Sequence, residues 1–360
     1  MSKKIVFPRD ENAHNFIVEW WYLNGILSDR QGNRYAIMDC LFKVDQKIFY
    51  SHLPRRYAYF SHAIVSEIKN KKFYHEITPV LVSKDSFKKK LLYIDYKRFS
   101  IDKITNSRLE EINPFTYKIV SDTLELNLVS TKKPLLEQKN GYVHLNTKST
   151  YYYSLTNLNA DGYIKIKKRQ ILVKGKAWMD HQWANSSASL DKWIWFSLQL
   201  KNNAEIVCFE FDDKKKKTTL AGYIDNKSKT AHTNNIKFTQ LKKSYKSKKT
   251  GTIYPLSYKI EIPKLRATLK TTPLMHNQEV LFANINYWEG PVKVTGKIKS
   301  KKVSGYGFME LVGFPKNKSL IEIYTNLLKK ELEKQTTKIK NITYKTTKST
   351  IKNLLLKIKS

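Results

Sequence analysis

Residues 16–44 read FIVEWWYLNGIL (16–27), SDRQGN (28–33) and RYAIMDCLFKV (34–44). Two apolar, aromatic-rich runs flank a polar turn containing Gly32 and Asn33, the signature of a β-hairpin. The same unit recurs. YAYFSHAIVSEI (57–68) turns through KNKK into FYHEI (73–77), and YKIVSDTLELNLVS (117–130) pivots at Ser121-Asp122. YYYSLTNL (151–158) is read as turning through NADG (159–162) into YIKIKK (163–168). KWIWFSLQL (192–200) turns through KNNAE into IVCFEF (206–211), and VKVTGKI (292–298) through KSKK into VSGYGFMELVGF (303–314). Strand-forming tyrosine alone occurs 22 times. No strand–helix alternation precedes residue 315, so the fold class is all-β with antiparallel sheets, sandwiches or barrels.

The 360 residues suggest roughly two domains. ANSSASLD (184–191) has linker composition, which places a seam after Trp183. The expected organisation is therefore 1–185, 186–316 and a lysine-rich tail, 317–360. In the tail, SLIEIYTNLLKKELEK (319–334) spaces Leu320, Tyr324, Leu327, Leu328 and Leu332 as a helix does.

With 41% hydrophobic residues the chain affords a core. No run reaches the ~18 apolar residues of a membrane span, and the first residues lack a signal-peptide core. The expected location is cytoplasmic, with membrane association through basic surface and tail. Cys40 and Cys208 lie in strand-like runs and are expected reduced. The net charge is +35, yet only nine of 66 basic residues are arginine and the lysines spread through most loops. That distribution speaks against nucleic acid as the partner.

All seven tryptophans fall in four clusters: Trp20 and Trp21, Trp178 and Trp183, Trp193 and Trp195, and Trp288. Glu19, Asp180 and Glu289 lie within or beside them. On an extended strand side chains alternate, so Glu19 and Trp21 share one face and Trp20 and Tyr22 the other. Trp178 and Asp180 then point together, with His181 opposite. An indole beside a carboxyl raises the acid's pKa by desolvation, though such an acid more often only bonds backbone N–H groups. His14, His62 and His181 lie near the clusters without HxH or HExxH spacing, so no metal is expected. P-loop, GxGxxG and GxSxG signatures are absent, and no cofactor is expected.

In order, FPRDENAHNFIVEWWYLNGIL, RYAIMDCLF, YFSHAIVSE, VKGKAWMDHQW, WIWFSLQLKNNAEIVCFEF and NYWEGPVKVTG with VSGYGFMELVGF resemble the carotenoid 1,2-hydratase (CrtC-like, AttH-like) family over roughly residues 7–314. The resemblance implies two tandem lipocalin-like barrels. It also implies cofactor-free addition of water to a C=C of an apolar isoprenoid. An acid would protonate the alkene, and aromatic faces would stabilise the cation. Asp180 is the first candidate acid and Glu19 the second, with His62 and His181 as orienting groups. Trp20, Trp21, Tyr22, Trp178, Trp183, Gln182, Trp195, Tyr287 and Trp288 are the candidate substrate contacts. Where the family reads W-x-D-x-E-W, this chain reads WMDHQW, with Gln182 in place of the glutamate. A non-catalytic carrier of a hydrophobic ligand, a pericyclase and a hydrolase are the alternatives on the same fold.

Overall fold

The structure, a computed structural model, describes residues 4–48, 54–99, 103–186, 191–282 and 285–319, with single positions outside these stretches. Ten antiparallel strands close a barrel: Val18–Ser28, Arg34–Asp45, Tyr57–Glu67, Lys72–Val82, Tyr93–Phe99, Ile104–Asn113, Thr116–Val120, Leu124–Ser130, Lys148–Ile166 and Arg169–Ala184. The ring closes because Lys148–Ile166 pairs with Arg169–Ala184 on one side and Leu124–Ser130 on the other.

That long strand corrects the hairpin expected at 159–162. The chain runs extended through those residues and turns only after Ile166. Gly162 marks a close approach instead. Its φ is +141°, and a Cβ there would lie 2.1 Å from the Glu125 carbonyl oxygen of the neighbouring strand.

The second half forms a ten-stranded antiparallel sheet, from Thr230–Thr233 at one edge to Lys237–Gln240 at the other. These edge strands are consecutive in sequence, so the sheet bends back toward itself. Among the described residues no ladder joins them, and the expected second closed barrel is instead an open sheet. The helical tail expected over 317–360 falls almost wholly outside the described residues and is not supported as an element among them. Residues 246–253 with 315–319 belong to a small separate unit, in which Asn317 donates to the Gly251 carbonyl at 3.1 Å. No helix among the described residues is long and apolar enough to cross a membrane.

Strand alternation sorts the apolar residues into three layers. Trp21, Leu23, Leu27, Leu41 and Tyr153 fill the barrel. Phe196, Leu198, Tyr258 and Trp288 pack on the far face of the open sheet. Tyr22, Cys40, Tyr152 and Trp178 of the barrel wall meet Trp195, Val207 and Phe209 of the open sheet in a third layer between them. The barrel is filled rather than hollow. A cavity of about 10 Å³ beside Trp21, Asp39 and Tyr96 has room for about one water.

Candidate active site

Five barrel strands place Ser154, Asp180, Tyr22, Cys40 and His62 as successive cross-strand partners. Directly opposed residues share a face, so this row forms one wall of the layer between the sheets. Asp180 is 3% exposed. Its Oδ1 accepts hydrogen bonds from Ser154 Oγ at 2.6 Å and Trp178 Nε1 at 2.6 Å; its Oδ2 accepts from the Tyr152 hydroxyl at 2.8 Å. Burial pushes its carboxyl up to about 7, against the pull of those three donors. The Tyr152 hydroxyl in turn accepts from Trp195 Nε1 at 3.0 Å, which ties this wall to the open sheet.

The open sheet contributes the facing wall. Trp195 is the cross-strand partner of Glu310, and Glu310 of Glu289. The Tyr22 hydroxyl donates to Glu289 Oε1 at 2.8 Å, and its ring meets Trp195 edge-on with centroids 5.5 Å apart. Trp193 Nε1 donates to Glu310 Oε2 at 2.9 Å. Burial and the neighbouring Glu310 hold the Glu289 carboxyl well above the carboxylate range. Burial, with a smaller contribution from Asp180, pushes Glu310 up to about 7. His62 hydrogen-bonds through Nδ1 to the Tyr287 hydroxyl, and burial keeps its imidazole neutral at ordinary pH. Trp20 and Gln182 are cross-strand partners, half-buried on the face that carries Asp180.

Alternate residues of the same strands point into the barrel, where a different set assembles. Glu19 is fully buried. Its Oε1 accepts from His14 Nδ1 at 2.8 Å and bonds His181 Nε2 at 3.0 Å; its Oε2 accepts from Lys43 Nζ at 2.8 Å. The His14 backbone N–H also reaches both oxygens. Burial would raise its pKa, but these partners overcome that and hold the carboxyl down to about 2. A group already ionised through the physiological range has no proton to deliver, so the geometry does not suit Glu19 to act as the acid. His181, lowered to about 4 chiefly by burial, is neutral. It stacks on Trp21 at 4.8 Å, while His14 stacks on Trp183 at 3.7 Å. Trp21, Trp183 and His181 therefore face Glu19 and not Asp180. His14, Glu19 and His181 offer ligand atoms within 4.8 Å of one another. Lys43 already supplies a cation to Glu19, and a metal there would compete with it. Trp288 lies apart in the open sheet's own core, its indole donating to the His276 carbonyl at 2.7 Å.

The structure thus gathers Asp180, His62, Trp20, Tyr22, Trp178, Gln182, Trp195 and Tyr287 on one layer and separates Glu19, Trp21, His181 and Trp183 from it. Tyr152, Ser154, Glu310 and Glu137 join the layer without a motif to announce them. One signal was available: counting outward from the KSKK turn places Glu310 opposite Glu289. A solvent-open cleft of about 270 Å³ at one barrel end, lined by Asp29, Arg34, Glu67 and Arg169, holds none of these residues.

The fold and both walls can be compared with known proteins. The AttH-like family model matches residues 1–314. Dehydratase asqC of Emericella nidulans is 23% identical over 241 residues, 60% of this chain and 64% of that protein. Kievitone hydratase of Fusarium solani subsp. phaseoli is 21% identical over 204 residues, 53% of this chain and 57% of that protein. The matched regions span less than two thirds of either relative. The crystal structure of an AttH from Nitrosomonas europaea has a TM-score of 0.71 at 23% identity, covering 87% of this chain and 98% of its own. That of kievitone hydratase from Nectria haematococca has a TM-score of 0.69 at 17% identity, covering 86% and 93%. Both curated relatives are named for adding or removing water, and the chain belongs to the AttH-like family.

Proposed function

We propose that the protein is a cofactor-free hydro-lyase that adds water to, or removes it from, a C=C-bearing apolar substrate held between the barrel and the open sheet. Asp180 carries this reading. It is a buried carboxyl poised near neutrality, walled by Trp178, Tyr152 and Trp195, and its position suits proton transfer to an alkene. In hydration, the Asp180 O–H bond breaks as a C–H bond forms. The indole and phenol faces stabilise the resulting cation, and water captures it. Two relatives named as hydratase and dehydratase support this reaction class. Gln182, on the Asp180 face, can orient water but supplies no proton.

We place the substrate among isoprenoid or other alkenes, without assigning carotenoid specificity. A carrier needs no titrating acid among its ligand contacts, and the buried Asp180 carboxyl supports the enzyme instead. The test is turnover of kievitone and of an acyclic carotenoid by the purified protein. Asp180→Asn should lower it by about 10²–10⁴-fold. Full activity in that variant removes Asp180 from the mechanism.

A further inference from the structure

Glu289 and Glu310 stand directly opposite one another in the hairpin that joins Ile285–Ile298 to Lys301–Val312. Opposed residues of an antiparallel pair have their Cβ atoms roughly 4.5–5.5 Å apart on one face. Glu289 is 1% exposed and Glu310 half-buried. Among the described residues no lysine, arginine or histidine forms an ion pair with either. Among the described residues each carboxyl has one side-chain donor, Tyr22 for Glu289 and Trp193 for Glu310. Two carboxylates this close in an apolar layer do not both ionise without a cation. The remaining titratable groups facing them are Asp180, Tyr22, Cys40 and Tyr287, with His62 behind Tyr287.

The same layer contains polar groups left without partners. Among the described residues His62, itself 1% exposed, has no hydrogen-bond partner for Nε2, and neither oxygen of the fully buried Glu137 has one. Glu137 lies over Gly222, where a Cβ would come 2.6 Å from its Oε2. It is followed by Gln138 and Lys139 at φ +48° and +76°. Orphaned buried groups on a strained turn are costly in a layer that only packs. They are expected where a polar ligand or water enters.

We propose that Glu289 and Glu310 hold one proton between them and serve as the base of the reaction, taking a proton from the attacking water on the wall opposite Asp180. This deepens the hydro-lyase reading and rests on it. The balance is closed. One proton leaves Asp180 for carbon and the π bond is consumed. The water oxygen forms the C–O bond, and its O–H bond breaks to the ionised member of the pair. The pair then gives up that proton to solvent as product leaves, and Asp180 is reprotonated. In dehydration the pair donates to the leaving hydroxyl and Asp180 accepts the carbon-bound proton.

The experiment has two arms on the full-length protein. In the first, protein labelled with ¹³C at glutamate side-chain carboxyls is titrated by NMR. Glu289 and Glu310 should titrate in two separated steps, and Glu310→Gln should collapse the Glu289 transition to one step at lower pH. An unmoved Glu289 transition overturns the shared proton. In the second, kievitone is the probe. Glu310→Gln and Glu289→Gln should each lower kcat by about 100-fold or more. They should also flatten the low-pH limb of the kcat/KM profile while leaving the high-pH limb, set by Asp180. Turnover lost in Asp180→Asn but kept in both glutamine variants overturns the base assignment and spares the hydro-lyase reading. Wild-type protein inactive on kievitone and on an acyclic carotenoid removes the reading and the base role together.

Discussion

Trp178 donates its indole N–H to the carboxylate two residues further along its own strand, Asp180 Oδ1, at 2.6 Å. Donor and acceptor share a face because the strand between Arg169 and Ala184 is extended. The contact favours the charged carboxyl and so opposes burial. Trp178→Phe removes that donor, and the Asp180 pKa should rise. The high-pH limb of the kcat/KM profile, where the acid loses its proton, should move upward. An unshifted limb would separate the titration from Asp180.

Asp180 itself should trade stability for function. Its folded pKa, about 7, lies above the ordinary 3.8. The native state therefore holds the proton more tightly than the unfolded chain does. That contribution is complete below pH 3.8 and fades as pH rises toward 7. Asp180→Asn cannot ionise. Relative to wild type, it should gain on the order of 2–4 kcal/mol between pH 4 and pH 8. Urea unfolding at both pH values measures this, and a pH-independent difference would contradict it.

Glu19 works in the other direction. Its folded pKa, about 2, lies below the ordinary 4.5. Its stabilisation is present above pH 4.5 and lost as pH falls toward 2. Neutral His181, lowered to about 4 from 6.5, adds a loss that begins as pH falls through 6.5. Glu19→Gln strands Lys43 and should cost about 3–5 kcal/mol at pH 7. A loss under ~1 kcal/mol in chemical denaturation would mean the network anchors nothing.

Gly222→Ala directs a methyl to within 2.6 Å of Glu137 Oε2 and 3.0 Å of Val207 Cγ1. It should destabilise by about 1–3 kcal/mol. Pairing it with Glu137→Ala should recover part of that loss. Simple additivity in the double-mutant cycle would show that the two do not meet.

The all-β class was legible because period-2 alternation and turn residues are local signals. The registers of the hairpins at 34–44 and 303–314 follow from the same counting. The strand at 148–166 was harder. Asn159, Asp161 and Gly162 look like a turn, yet Gly162 serves a close approach to Glu125 that no local pattern encodes. Parity placed Asp180 with Trp178 and opposite His181, as the strands now have it. It gave no way to know that Trp183, two positions from His181, belongs to the Glu19 chamber. Nor did it reveal that Tyr152 and Ser154, some 26–28 residues upstream, hold Asp180. Those contacts follow from the register of the hairpin that turns after Ile166, which a turn placed at 159–162 hides and which shifts between Leu155 and Leu158.

The strands Val18–Ser28 and Arg169–Ala184 act as a party wall, with the Glu19 network on one side and Asp180 on the other. Insertion of a single residue upstream of either acid within these strands would turn it into the other's room. Lengthening here is tolerable only in pairs of residues. The two chambers can otherwise diverge independently, since substitution on one side leaves the other side's residues unchanged. A lineage can thus rebuild its chemistry between the sheets while the ionised plug inside the barrel keeps the same fold standing.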